Sequence, residues 1–324
     1  MFRIGNKVLF FSILAMVLFY FFFAIYSDVG QVIKSLTSMK VELIPLVLLL
    51  ILAAVFVKSI RQYYLLKSCK INIPFKKNVL IYISGLSLIF TPGGIGGVVK
   101  TKFFKDNHGV SIRNTVPIVI MELYHEFLGL VVIIGITILF YGFIEAKIAF
   151  VIGSVFFILT YAVFRYQKAF LTFSKFLNKI NMFRKISEGG EESQKNVHIL
   201  TSPTKMLASS SITIFSMIFD LAAVYLIFLA FDANKLNFIL ESQSYLTAFL
   251  LGQLSFLPNG IGVTDISFIG ILVSRKLDLA VATSAVLSIR FINLWARTGM
   301  GLIVLRFFVN KKNLNNDDKN IKTE

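Results

Sequence analysis

Val8–Tyr26 is a run of nineteen residues without a charge. That is close to the ~20 apolar residues a helix needs to cross the hydrocarbon of a bilayer. Val41–Leu66 holds a second such run, interrupted by Glu42 near its start and by Lys58 and Arg61 near its end. Apolar residues cluster in such runs rather than alternating with polar ones. They make up 56% of the 324 residues, too large a share for one water-soluble fold to cover with polar surface. The fold class is therefore all-α integral membrane. No small-x-small cleavage site follows the first run, where Phe23-Ala24-Ile25-Tyr26 stands, so that run is read as a retained helix. Cys69 is the sole cysteine, which excludes an intramolecular disulfide.

The runs predict spanning helices at about 8–26, 43–65, 116–141, 148–165, 206–231 and 279–307. Two further runs, Val79–Thr91 and Ser244–Leu257, are thirteen and fourteen residues long and stop at Pro and Gly. They are too short to span ~30 Å of hydrocarbon. Each is read as one arm of a re-entrant hairpin or half of a broken helix. With each hairpin returning to its own side, 25 of the 33 basic residues fall on one face of the membrane, Lys58, Arg61 and Lys100 among them. The other face keeps Lys34, Lys40, Lys147, Lys235, Arg275 and Lys276, while Arg290 and Arg297 lie within the last helix. The positive-inside rule then places both termini in the cytoplasm, in a multi-pass protein of the cell membrane. The net charge of +16 is thus topological. It attracts anionic headgroups and does not point to nucleic acid. In the cytoplasmic loop 165–205, Phe170, Phe173, Phe176, Leu177, Ile180 and Phe183 recur at helical spacing among lysines. This reads as an amphipathic helix on the inner leaflet or as a stripe packed under the bundle. Glu188–Asn196 reads as a polar turn, and 310–324 as a disordered tail.

The two short runs end alike. Phe90-Thr91-Pro92-Gly93-Gly94-Ile95-Gly96 and Phe256-Leu257-Pro258-Asn259-Gly260-Ile261-Gly262 align without a gap at an offset of 166. Pro ends the incoming helix by removing a donor, and the glycines allow backbone conformations that a Cβ would forbid. Three predicted crossings separate the motifs, so they enter from opposite faces. The halves, about 41–141 and 206–308, form an inverted repeat with breaks meeting near the midplane. Backbone freed at such a break must be buried in protein or line a wet cavity. Helices restarting after Gly96 and Gly262 would aim free N–H groups at an anion such as phosphate. Gly97 and Lys100 follow the first break, Thr264 and Asp265 the second. Two kinked helices with tight glycine packing and no ligand are the plainer alternative.

Ionisable groups within the spans cost at least ~2.5–3.5 kcal/mol each and need partners or water. Glu122, His125 and Glu126 share a face, as do Arg290, Asn293 and Arg297; Asp220 sits mid-helix. The simplest pairing joins Glu122 or Glu126 to Arg290, because those helices follow the two breaks. Such a pair is either a structural salt bridge or part of a path for a charged headgroup or proton. Glu122-x-x-His125 stands alone as a metal motif, and Gly93–Gly97 is neither a Walker A nor a dinucleotide fingerprint. No cofactor, metal or catalytic grouping is therefore expected.

Thr91-Pro92-Gly93-Gly94-Ile95-Gly96-Gly97 followed by Glu122 resembles the transmembrane region of lysylphosphatidylglycerol synthases. So does Leu257-Pro258-Asn259-Gly260-Ile261-Gly262, followed by an acidic residue and then Arg290. Asp265 stands where a glutamate is expected. The resemblance implies a flippase-like module. In bifunctional members this region moves an aminoacylated phospholipid between leaflets, and a separate soluble domain makes it. The length here leaves no room for that domain, so a stand-alone form is expected. The leading expectation is translocation of a polar-headgroup lipid: phospholipid, aminoacyl-lipid or polyprenyl-phosphate glycolipid. Backbone at Pro92, Gly93, Gly94, Gly96 and Gly97, and at Pro258, Asn259, Gly260 and Gly262, would surround the headgroup. Backbone N–H groups after Gly96 and Gly262, with Arg290, would hold phosphate; Glu122, Glu126 and Asp220 would hold cations or protons; Lys100 and Asp265 complete the headgroup-binding set. Two alternatives remain open: a non-catalytic subunit docking a lipid-modifying enzyme such as a glycosyltransferase, and an ion-coupled transporter of a small anion.

Overall fold

The computed structural model describes residues 29–88, 96–166, 190–231, 237–255 and 257–320. The expected first span, the turn with Pro92, Gly93 and Gly94, and the Phe170–Phe183 segment lie outside these residues. The described residues form helices throughout. After α1 (Val29–Thr37) and a 3-10 turn at Val41–Leu43, α2 covers Ile44–Ser68. Then come α3 (Phe75–Gly85), a 3-10 turn at Leu86–Leu88, α4 (Gly96–His108) and α5 (Ile112–Ile138). α6 (Ile144–Arg165) and α7 (Gly190–Leu200) follow. The last group is α8 (Pro203–Ala230), α9 (Phe238–Leu254), a 3-10 turn at Pro258–Gly260, α10 (Val263–Ser274) and α11 (Leu279–Asn320).

Among the described residues, five segments are long and apolar enough to cross a membrane: those of α2, α5, α6, α8 and the Leu279–Arg306 part of α11. The other arms are short. At 1.5 Å per residue, α3, α4 and α10 reach only about 16–20 Å. The order span, short helix, break, short helix, span occurs twice, as α2–α5 and as α8–α11. Three spans, α5, α6 and α8, lie between the two breaks, so the hairpins enter from opposite faces. Local chemistry marks the starts of these elements. Ser111 accepts from the Arg113 N–H before α5, Asn237 from Leu240 N–H before α9, and Asp278 from Ala280 and Val281 N–H before α11. Each side chain satisfies a donor that the first turn of a helix leaves unpaired.

Three apolar cores hold the bundle. One gathers α8 to α11 with Val47 and Ile51 of α2. A second gathers α2 to α5 with Leu200 of α7. The third joins α5, α6, α8 and α9. α6 is the outlier: Ile148, Val151, Ile152, Val155, Ile158 and Leu159 are all exposed, a face suited to lipid rather than protein.

One sequence expectation changes. The expected polar turn at Glu188–Asn196 is helical from Gly190. Ser193 donates to Arg113 O at 2.8 Å and Asn196 to Asn114 Oδ1 at 3.2 Å, while Val197 and Leu200 are buried. The polar residues fasten α7 to the start of α5, so their polarity does not mean solvent. α11 continues beyond its membrane-crossing part to Asn320.

Candidate functional site

Five charged side chains form an alternating chain through the bundle. Arg61 Nη1 lies 2.7 Å from Glu126 Oε1, and Glu126 Oε2 lies 3.1 Å from Lys58 Nζ. Lys58 Nζ is 3.0 Å from Asp220 Oδ2, whose Oδ1 is 2.5 Å from Arg297 Nη2. Arg61 also donates to Thr213 Oγ1 at 3.0 Å. The helices involved are the first and last spans of each half. In the first half the cations sit on α2 and the acid on α5. In the second half the signs are reversed, with the acid on α8 and the cation on α11. Lys58 links the two halves through Asp220.

This chain borders a cavity of about 110 Å³. Lys58, Glu126, Asp220, Arg290, Asn293 and Arg297 make its polar wall, with Asn259 of the second break. Leu130, Met217, Leu221, Leu246, Phe249 and Leu294 line the apolar side. The space holds a handful of waters. It is well below the ~300–1,000 Å³ of a pocket that takes a drug-sized ligand.

The second break delivers Asn259 to the cavity by a left-handed turn: φ is 49° at Asn259, 64° at Gly260 and 84° at Gly262. The glycines are needed for space as well. A Cβ on Gly260 would lie 2.4 Å from Thr264 Oγ1 and 2.9 Å from Gly252 Cα. α10 then starts with Asp265 folded back on its own terminus, where Asp265 Oδ2 accepts the Gly262 N–H at 3.0 Å. Asp265 Oδ1 is 2.5 Å from Arg290 Nε, and Arg290 Nη1 donates to Asn259 O at 3.2 Å. A helix N-terminus favours an anion through its free donors and its dipole. Here the chain's own carboxylate has taken the place expected for phosphate.

The charges near the first break form a separate cluster. Lys100 makes a close ion pair with Glu122 and donates to Gln62 Oε1 at 3.0 Å. Gln62 donates to Asn78 Oδ1 at 3.0 Å, and Asn78 to Ser59 O at 2.8 Å. The Lys100 ammonium also stands 4.7 Å from the centre of the Tyr82 ring. Neither Lys100 nor Glu122 borders the cavity.

Residues 8–301 match the model of the lysylphosphatidylglycerol synthase TM region. The chain belongs to that family. It is also similar to a UPF0104 membrane protein of Pyrococcus horikoshii, 24% identical over 307 residues, covering 86% of this chain and 91% of that protein.

Within this member of the lysylphosphatidylglycerol synthase TM family, the expected pairing of Arg290 with Glu122 or Glu126 does not occur. The α5 carboxylates are held by α2 and α4, and Arg290 by Asp265. Lys58, Arg61 and Lys100, expected on the cytoplasmic face, are all buried and take the α5 carboxylates instead. The charge asymmetry survives their removal. Arg297 and Asp220 pair with each other. Sequence reasoning missed Lys58 and Arg61 as site residues. Their signal is the i, i+3 spacing inside a predicted span, with Gln62 beside them on the same buried stretch.

Proposed function

We propose that this protein translocates a polar-headgroup lipid between the leaflets of the cell membrane, with both termini in the cytoplasm. The observation that carries the reading is the charge-lined cavity at the junction of the two inverted halves. Buried charge at this depth is costly, and a neutral apolar contact would join the halves more cheaply. Each half contributes its first and last span to the wall, so rocking one half against the other changes the cavity without dismantling either. The apolar side of the cavity accommodates the start of the lipid chains. At about 110 Å³ it is smaller than a lipid headgroup needs, and headgroup passage requires it to widen. Membership of a family named for a lipid-modifying enzyme supports a lipid as cargo.

The test is a scrambling assay. Folded protein in liposomes is expected to accelerate the movement of fluorescent lipids of at least one class, glycerophospholipid or polyprenyl phosphate, over protein-free liposomes. No acceleration for either class overturns the proposal.

A further inference from the structure

Three carboxylates reach the polar centre, and each has a cation matched to it. Glu126 has Arg61 at 2.7 Å, Asp220 has Arg297 at 2.5 Å, and Asp265 has Arg290 at 2.5 Å. Lys58 is a fourth cation. It bridges Glu126 at 3.1 Å and Asp220 at 3.0 Å, two carboxylates already matched. The Lys100–Glu122 pair is neutral and stands apart from the cavity. Among the described residues the site therefore carries one formal positive charge in excess.

Among the described residues, Arg61 Nε and Arg297 Nε are buried without a hydrogen-bond partner, against one unmet acceptor on the cavity wall, Asn293 Oδ1. Arg297 borders the cavity. An uncompensated cation and unmet donors are both unfavourable in a medium of low dielectric. One acceptor with a single negative charge relieves both. A zwitterionic headgroup leaves the excess charge in place, and a lysylated phospholipid, itself cationic, adds to it.

We infer that the headgroup taken by this cavity is a lipid phosphate with one net negative charge, and that Lys58 is the residue that binds it. This rests on the translocation reading for its setting and on the charge balance for its content. Entry of the phosphate draws Lys58 off Glu126 and Asp220, which keep Arg61 and Arg297. The bridge between the halves is then released by the ligand itself.

Binding and transport test this separately. The purified protein is titrated with short-chain phosphatidylglycerol, phosphatidylcholine, lysyl-phosphatidylglycerol and inorganic phosphate, followed by native mass spectrometry. Phosphatidylglycerol is expected to bind at least about tenfold tighter than the other two lipids, the scale of one charge-assisted hydrogen bond. Lys58→Gln abolishes that preference. Adding Asp220→Asn to Lys58→Gln restores one excess charge, now on Arg297, and restores the preference. Equal binding of the three lipids by the native protein overturns the inference. So does a Lys58→Gln/Asp220→Asn protein that binds without preference. Inorganic phosphate binding as tightly as phosphatidylglycerol overturns the lipid assignment in favour of a free anion. In liposomes, equal scrambling of all three lipids sinks the headgroup assignment and leaves translocation standing. A binding preference with no scrambling does the reverse.

Discussion

Lys100 and Glu122 illustrate how buried charge behaves when it is not part of a path. Glu122 is 4% exposed, and its Oε1 is buried without a hydrogen-bond partner. Oε2 depends on Lys100. Removing the lysine strands a carboxylate in a medium that does not solvate it. Lys100→Met is therefore expected to destabilise the protein by about 3–5 kcal/mol. Lys100→Met with Glu122→Gln is expected to recover most of that loss, because neither charge is then left unpaired. Denaturation in detergent of both singles and the double, read as a cycle, checks this. A double variant no more stable than Lys100→Met would show that the pair is not the source of the loss. At this scale the sequence identified Glu126, Asp220 and Arg290 as intramembrane charges but not whom they meet. Partner choice depends on the rotation of each helix, to within one residue's angle. Lys58 and Arg61 read as loop charges because they fall near the end of an apolar run, where charges ordinarily mark the membrane boundary.

At the scale of elements, the breaks were the most legible feature. Pro-x-Gly-Ile-Gly at a fixed offset announces two equivalent interruptions, and short arms around them follow from length alone. Within the described second break, the glycines divide into those that packing requires and those it does not. A Cβ on Gly252 of α9 would sit 1.8 Å from Thr264 Oγ1 of α10, with Gly260 Cα at 3.3 Å. Thr264 is itself buried, so it has little room to yield. Gly252→Ala is expected to cost about 1–3 kcal/mol through overpacking and to pry the two arms of the hairpin apart. Gly270, mid-way along α10, faces open space. Gly270→Ala is expected to be neutral or to stabilise by up to about 1 kcal/mol, through reduced backbone entropy of the unfolded chain. Thermal unfolding of both variants in one detergent checks the contrast. A Gly252→Ala protein as stable as Gly270→Ala would contradict the close approach of the arms. α7 was not legible, because Gly189-Gly190 and the polar residues after it look like a turn. It is held by two hydrogen bonds to the start of α5, which is distant in the chain, and by burial of Val197 and Leu200.

For the whole molecule, inversion and sidedness are linked: if one hairpin opens to the cytoplasm, the other must open outward. The halves meet closely away from the cavity too. A Cβ on Gly301 of α11 would fall 2.2 Å from Ser87 N in the turn that ends α3. The second half therefore rests on the first hairpin's backbone, and any opening of the cavity has to work against that contact. Sidedness can be read at Cys69, which follows α2 on the end shared with the first hairpin. It is the sole cysteine of the chain and is half-buried. Burial raises its thiol to about 11, against about 8.5 for a free cysteine. Only the thiolate attacks a maleimide, so at pH 7 about one molecule in ten thousand is reactive at any moment. Below pH 11 the reactive fraction grows about tenfold with each unit of rising pH. A membrane-impermeant maleimide is thus expected to label inside-out vesicles slowly at pH 7 and about a hundredfold faster at pH 9. Right-side-out vesicles are expected to stay unlabelled over the same range. Labelling from outside would reverse the orientation of every span and place the first hairpin on the external face. Labelling from inside at a rate indifferent to pH would instead remove burial as the control on this thiol while leaving the orientation intact.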